Sequence, residues 1–200
     1  MNSGNLSLAQ EINLLWDPVY PYMAQHILEC YGRREGNILE MGPFSGAIFA
    51  LQEAKIGNSF QIAAFPPGMG PFFRGEAEKR GIRESIAVID SNPSLLGIRN
   101  DEVDLVVFRG AFFFPTFFQV DFQAIDRVLR PKGVAFVGGG FGKFTPAAMI
   151  QEMGERSRHL NLKLGKCQVT QEDLYRAIPD PFKERTEMIS EGGLWLVMRK

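Results

Sequence analysis

Apolar residues recur every three to four positions from Leu6 to Tyr31, first as Leu8, Ile12, Leu15 and Trp16, then as Met23, Ile27, Leu28 and Tyr31. That is the spacing of one helix face, broken by Asp17-Pro18 and Pro21, and it predicts two short helices joined by a turn. Beyond Gly36 the pattern changes to short apolar runs bounded by glycine, proline and polar residues. Asn37 to Gly42 reads as a buried strand, Pro43-Phe44-Ser45-Gly46 as a turn, and Ala47 to Lys55 as a helix closed by Gly57. The cycle repeats: a strand from Ser59 to Phe65, a helix from Phe72 to Arg80 ended by Gly81, and a strand from Ser85 to Ile89 ending at Asp90. A strand follows from Val103 to Phe108. A helix from Phe117 to Leu129 is then ended by Arg130-Pro131-Lys132-Gly133, and Val134 to Val137 forms a fifth strand.

Strands alternating with helices at this spacing predict an α/β domain with a mainly parallel sheet covered by helices on both faces. Parallel neighbours need a crossover, and right-handed crossovers make the sheet doubly wound. After a helix from about Pro146 to His159, Glu184 to Ser190 and Leu194 to Arg199 flank Glu191-Gly192-Gly193, the signature of an antiparallel hairpin at the sheet edge. No repeat, low-complexity tract or linker interrupts the chain. The expectation is one domain over 1–200, with a helical lid at 1–35 and an α/β core at 36–200.

Composition narrows the function. With 22 Lys and Arg against 23 Asp and Glu, a formal charge of −1, no global field attracts a polyanion, so nucleic acid is not an expected partner. The two cysteines, Cys30 and Cys167, lack metal-ligand spacing, and no metal is expected. Neither a signal peptide nor a membrane span is visible, which makes the cytoplasm the expected location. Oligomeric state is not readable. The 17 phenylalanines stand out, because many fall between Phe44 and Phe144 in segments predicted to be loops.

In an open α/β sheet a ligand binds outside the carboxyl ends of the strands. The first such loop is Glu40-Met41-Gly42-Pro43-Phe44-Ser45-Gly46. Gly42 and Gly46 let backbone approach a ligand, Ser45 is placed to cap the next helix, and Glu40 to meet an ammonium group; an ordinary strand-to-helix turn uses the same residues. Asp90, followed by Ser91, Asn92 and Pro93, suits either ligand binding or an Asx turn. Arg109 suits an ion pair with Glu40, a ligand carboxylate or an anionic substrate. Phe112 to Phe114 suit a pocket wall, while Phe117 and Phe118 also fit the core face of a helix. Gly138-Gly139-Gly140-Phe141-Gly142-Lys143 suggests a flexible pocket edge. It lacks phosphate-loop spacing. His26 is the candidate base, with a solvated or hydrogen-bonded helix position as the alternative, and no catalytic residue is nominated.

Three segments together resemble the class I S-adenosylmethionine-dependent methyltransferases, of the type 11 kind. Asn37 to Gly46, NILEMGPFSG, is similar to their acidic-x-Gly-x-Gly-x-Gly loop, with Pro43 and Phe44 set into a pattern that has lost its middle glycine. Phe122 to Gly138, FQAIDRVLRPKGVAFVG, resembles their "RVLkPGG" helix and strand. Between them, Ser85 to Phe108 contains Val88-Ile89-Asp90 and Asp101-Glu102-Val103-Asp104-Leu105-Val106-Val107. These resemble the strand ending in the adenine-binding acid and the strand that starts "FDlV".

The resemblance implies a Rossmann-like fold, S-adenosylmethionine as cofactor and a small-molecule methyl acceptor. Carried onto this chain, Glu40, Gly42, Pro43, Phe44, Ser45 and Gly46 would cradle the amino-acid end, Phe65 the sugar or base, Asp90 and Ser91 the adenine, and Arg109 the methionine carboxylate. Trp16, Tyr20 and Tyr22 of the lid, with Phe112 and Phe113, would line the acceptor pocket and exclude water. One departure is plain: Gln61-Ile62-Ala63-Ala64-Phe65-Pro66-Pro67 lacks the acid that holds the ribose hydroxyls. A buried hydroxyl without a partner costs about 1 to 3 kcal/mol. The same gap disfavours a nicotinamide oxidoreductase. The alternative function is a methyltransferase-like binding or interaction module without turnover.

Overall fold

The computed structural model describes residues 3–200; Met1 and Asn2, at the start of the predicted lid, lie outside the described residues. The seven strands are β1 (Asn37–Met41), β2 (Ser59–Ala64), β3 (Ile86–Asp90), β4 (Val103–Arg109), β5 (Leu129–Gly140), β6 (Thr186–Ile189) and β7 (Gly193–Arg199). They form one sheet in the order β3-β2-β1-β4-β5-β7-β6. The first five are mutually parallel, and β7 runs antiparallel to both its neighbours. The winding reverses between β1 and β4, so the crevice lies at their carboxyl ends. β4 is the middle strand and is buried at every position, the burial expected where helices cover both faces.

The helices are α1 (Ser3–Trp16), α2 (Tyr20–Tyr31), α3 (Ala47–Glu53), α4 (Met69–Lys79), α5 (Phe122–Val128), α6 (Ala147–Lys163), α7 (Gln171–Ala177) and α8 (Asp180–Lys183). A 3-10 turn, Asp17–Val19, joins α1 to α2 and places Pro18 in its first turn, where a missing N–H costs nothing. Opposite the crevice, buried Asp104 accepts from Asn37 N at 2.8 Å and from Arg130 and Arg33 at 3.0 and 3.2 Å. This network fastens the segment after α2 to the bottom of the sheet.

The hairpin at 184–199 stands at the sheet edge as expected, with β7 against β5 and β6 outermost. Several other expectations need correction. Gly138 to Gly140 is no flexible edge: it pairs with Trp195, Leu194 and Gly193. A Cβ on Gly138 would stand 2.2 Å from Leu194 O, so the glycines are there because two backbones approach too closely for side chains. The fifth helix starts at Phe122, capped by Asp121, whose Oδ1 accepts from Ala124 N at 2.9 Å; Phe117 and Phe118 precede it in a turn. Arg130 to Gly133 belongs to β5, which begins with a register shift against β4. Helices α7 and α8 carried too few apolar positions to be predicted, since Leu174 and Phe182 are their only buried side chains.

Candidate functional site

The loop after β1 is folded by its own glycines and by Glu40. Gly42 has φ +96°, and a Cβ there would meet the Phe108 ring at 2.8 Å; its N–H donates to Ala63 O at 3.0 Å, which anchors the turn to β2. Ser45 does not cap α3. Its hydroxyl donates to Gly42 O at 2.9 Å, and Glu40 takes over the helix end, with Oε2 accepting from Ile48 N at 2.6 Å. Glu40 is fully buried, and its Oε1 has no partner. Burial pushes its pKa up to about 8, against the opposing pull of Arg109 and of the α3 amides.

Arg109, at the end of β4, is 5% exposed. Its Nε donates to Phe44 O at 3.1 Å and its Nη2 to the Tyr20 hydroxyl at 2.6 Å. The guanidinium lies 4.8, 5.0 and 5.3 Å from the ring centres of Trp16, Tyr20 and Phe44. An aromatic cage of this kind lowers the cost of burying a cation. Among the described residues Arg109 makes no ion pair with Glu40 or any other acid; the two interact only at longer range. The Tyr20 ring rests on Gly46, where a Cβ would be 2.3 Å from Cε2, and the Tyr20 hydroxyl donates to Asn13 Oδ1 at 3.3 Å. Asn13 in turn donates to Pro43 O at 2.6 Å. The N-terminal helices are therefore packed directly onto the loop.

After β2, the chain enters Phe65 rather than an acid. Its buried ring meets Phe108 and Phe118 edge-on, with centroids 5.9 and 6.0 Å apart, and lies 3.6 Å from a Cβ built on Gly42. Asp90 stands on the next strand with its side chain 63% exposed and an ion pair to Arg74 at 3.3 Å. Ser91 is turned onto its own loop: its N–H donates to Ala64 O and its hydroxyl to Leu96 O, both at 2.9 Å. Thus Glu40, Gly42, Pro43, Phe44, Ser45, Gly46, Arg109, Trp16 and Tyr20 form one cluster, with Phe65 beside it. Asp90 and Ser91 lie apart at the surface end of β3.

The loop after β4 splits its phenylalanines. Phe113 and Phe114, with Ile12, Trp16, Phe44, Arg109 and Lys166, wall a chamber of about 90 Å³, whereas Phe112 faces a separate cavity beside Phe118 and Leu174. The chamber shares Trp16, Asn161 and Lys166 with a groove of about 590 Å³ along α6, lined also by Phe141, Ile150 and Leu162. Lys166 and Asn161 escaped the sequence reading because they reach the site only through the packing of α6 and the turn after it, and no local pattern marks them. Lys166 carries its ammonium 5.6 Å from the Phe113 ring centre; desolvation by the surrounding chain, then the charge of Arg109, hold its pKa below the ordinary lysine value. His26 is remote from the chamber: its Nδ1 accepts from Lys143 N at 3.3 Å, its ring meets Phe136 edge-on, and burial lowers its pKa. Among the described residues no group of acids, histidines and cysteines could hold a metal ion, and no helix is long and apolar enough to cross a membrane.

Sheet order and antiparallel β7 define the class I methyltransferase fold. A candidate S-adenosylmethionine-dependent methyltransferase from Methanococcus maripaludis superposes with a TM-score of 0.79 at 21% identity, over 100% of this chain and 95% of that one. The candidate methyltransferase in complex with the Trm112 methyltransferase activator of Haloferax volcanii gives 0.66 at 15% identity, over 100% and 98%. An S-adenosylmethionine-dependent methyltransferase from Aquifex aeolicus gives 0.56 at 13%, over 96% of each. At these identities the likeness is one of fold. No family model matches the sequence, and no curated protein does.

Proposed function

We propose that the protein is a cytoplasmic S-adenosylmethionine-dependent methyltransferase acting on a small molecule. One observation carries this reading: within the methyltransferase fold, the end of β1 holds a fully buried carboxyl group, Glu40, whose Oε1 lacks a partner among the described residues. A buried carboxyl oxygen left without a partner costs free energy, and an ammonium group at the loop after β1 would satisfy it while favouring loss of the carboxyl proton. The residues fit the cofactor at its two ends. Glu40 and the turn from Gly42 to Gly46 would hold the amino-acid part, with Arg109 at its carboxylate. Asp90, exposed and tied only to Arg74, would meet the adenine together with Ser91. At the sugar the chain offers the Phe65 ring and no acid. When bound, the cofactor would supply a methyl group activated on a sulfonium. Positioning and exclusion of water then do most of the work. Trp16 and Tyr20 supply that exclusion here, and α1 with α2 must swing from Gly46 to admit the ligand.

A second reading, a methyltransferase-like module without turnover, is favoured by one specific feature. Arg109 in its cage of Trp16, Tyr20 and Phe44 already places a cation at the mouth of the loop, where a sulfonium would otherwise come. Calorimetric titration with S-adenosylmethionine and with NAD separates the readings. Binding of the first by the natural chain, weakened by Asp90→Ala and by Gly42→Val, supports the enzyme; a methyl-acceptor screen then follows. No binding by the natural chain, with binding recovered in Phe44→Gly, supports the module. No binding by either chain removes the cofactor from the account.

A further inference from the structure

The cage around Arg109 solves only half of an electrostatic problem. Its guanidinium is almost fully buried, yet its hydrogen bonds go to a carbonyl and a phenol, through Nε and Nη2, and among the described residues Nη1 has no protein partner. Lys166 lines the same chamber as a second cation, exposed to solvent and with no ion pair of its own among the described residues. No acid lines the chamber. Glu40, the closest carboxyl group to Arg109 in influence, is kept largely protonated at neutral pH by its burial and does not neutralise it. Arg109 is buried without a carboxylate beside it, an arrangement that burial makes costly; an anion entering the chamber would relieve it, and exposed Lys166 adds a second positive charge at the same space.

Size and shape say what kind of anion. The chamber, at about 90 Å³, is smaller than the roughly 150 Å³ that accommodates a benzene ring, so it suits a head group and the carbons next to it. The remaining walls are flat rings: Phe44, Phe113, Phe114 and Trp16, the last stacked on Phe141 at 4.5 Å. The groove it opens into is mixed: Gln151, Glu155, Arg158 and Gln168 line it together with Phe141, Ile150 and Leu162, and the last two, 36% and 65% exposed, offer apolar surface to a hydrocarbon body.

We propose that this chamber binds the carboxylate of an apolar organic acid through Arg109 and Lys166, with the body of the acid lying in the α6 groove. The site does not rest on the proposed function, in which Arg109 would instead meet the cofactor's carboxylate; the acid and the cofactor would compete for that one guanidinium.

The test is a titration of the full chain with 4-phenylbutyrate, 4-phenylbutanamide and 4-phenylbutyl phosphate, by calorimetry and by the fluorescence of Trp16, read against a Trp16→Phe control. The acid is expected to bind and shift the fluorescence, and the neutral amide to bind at least tenfold more weakly. Lys166→Met, a change at an exposed position, is expected to weaken the acid about tenfold and leave the amide unchanged. Arg109→Lys keeps a cation but loses the fork and is expected to weaken the acid more than Lys166→Met does. Equal binding of acid and amide, or unaltered acid binding in Lys166→Met, overturns the site. Tighter binding of the phosphate overturns the carboxylate assignment. Because S-adenosylmethionine is absent from these titrations, a chain that binds the acid but not the nucleoside retains the site and loses the methyl-transfer reading; the converse result does the opposite.

Discussion

Glu40 makes the stability of the protein fall as pH rises. In the unfolded chain its carboxyl titrates near the ordinary value of 4.5; in the folded protein burial holds the proton to about pH 8. Between these values the folded state binds a proton that the unfolded state has released, so each added pH unit favours unfolding by about 1.4 kcal/mol. Across the whole window the loss amounts to about 5 kcal/mol, comparable with the entire stability of a modest domain. Glu40→Gln keeps an oxygen for the Ile48 N–H bond of 2.6 Å and cannot ionise. Urea unfolding of both proteins at pH 5, 6, 7 and 8 isolates the effect, because every other titrating group is common to the two. The variant is expected to overtake the natural chain progressively, by several kcal/mol at pH 8. Parallel stability profiles would refute the reasoning. So would a natural chain that gains on the variant as pH rises, since that would mean an ionised carboxylate held by Arg109.

Gly138→Ala places a methyl group 2.2 Å from Leu194 O and 2.8 Å from Trp195 Cα. Neither backbone atom can yield without unzipping β5 from β7, so a loss of more than about 3 kcal/mol by chemical unfolding, or no folded protein, is expected. Phe44→Gly removes a buried ring that packs 4.9 Å from Phe114; it is expected to cost about 3 to 5 kcal/mol, visible as a lower melting temperature. Asp90→Ala breaks a solvent-exposed pair with Arg74, and its unfolding midpoint is expected to stay within about 1 kcal/mol of the natural chain, which makes it a clean probe of ligand affinity. Thr170→Ala removes the capping box shared with Asp173 and is expected to cost about 1 kcal/mol, measurable by urea unfolding.

The five parallel strands were legible because each is a short apolar run bounded by turn residues, and a strand buried on both faces needs nothing subtler. The helix boundaries were less so. Phe117 and Phe118 have the spacing of a helix face, but Asp121 caps the helix later, and the two rings instead pack onto Phe114 and Phe108. The glycine run after Val137 looked like a loop because glycine is common in both loops and closely approached strands; only the partner strand, some fifty residues away, distinguishes them. The phenylalanines concentrated between Phe44 and Phe144 are mostly interior: Phe44, Phe65, Phe108, Phe114, Phe118 and Phe122 are all at most 6% exposed.

What the sequence determined by itself was therefore local and periodic: alternating strands and helices, the glycine-bearing turn after β1, an acid at its start and no acid after β2. Each of those depends on neighbours within a few residues, where backbone geometry and apolar spacing act directly. The tertiary structure alone decided that Arg109 is caged by Trp16, Tyr20 and Phe44 instead of paired with Glu40, that Glu40 has one orphan oxygen, and that Lys166 and Arg109 line one chamber. These are encounters between groups from 57 to 93 residues apart, and the energies that fix them, desolvation and packing, depend on what the folded chain brings together rather than on the order of its residues.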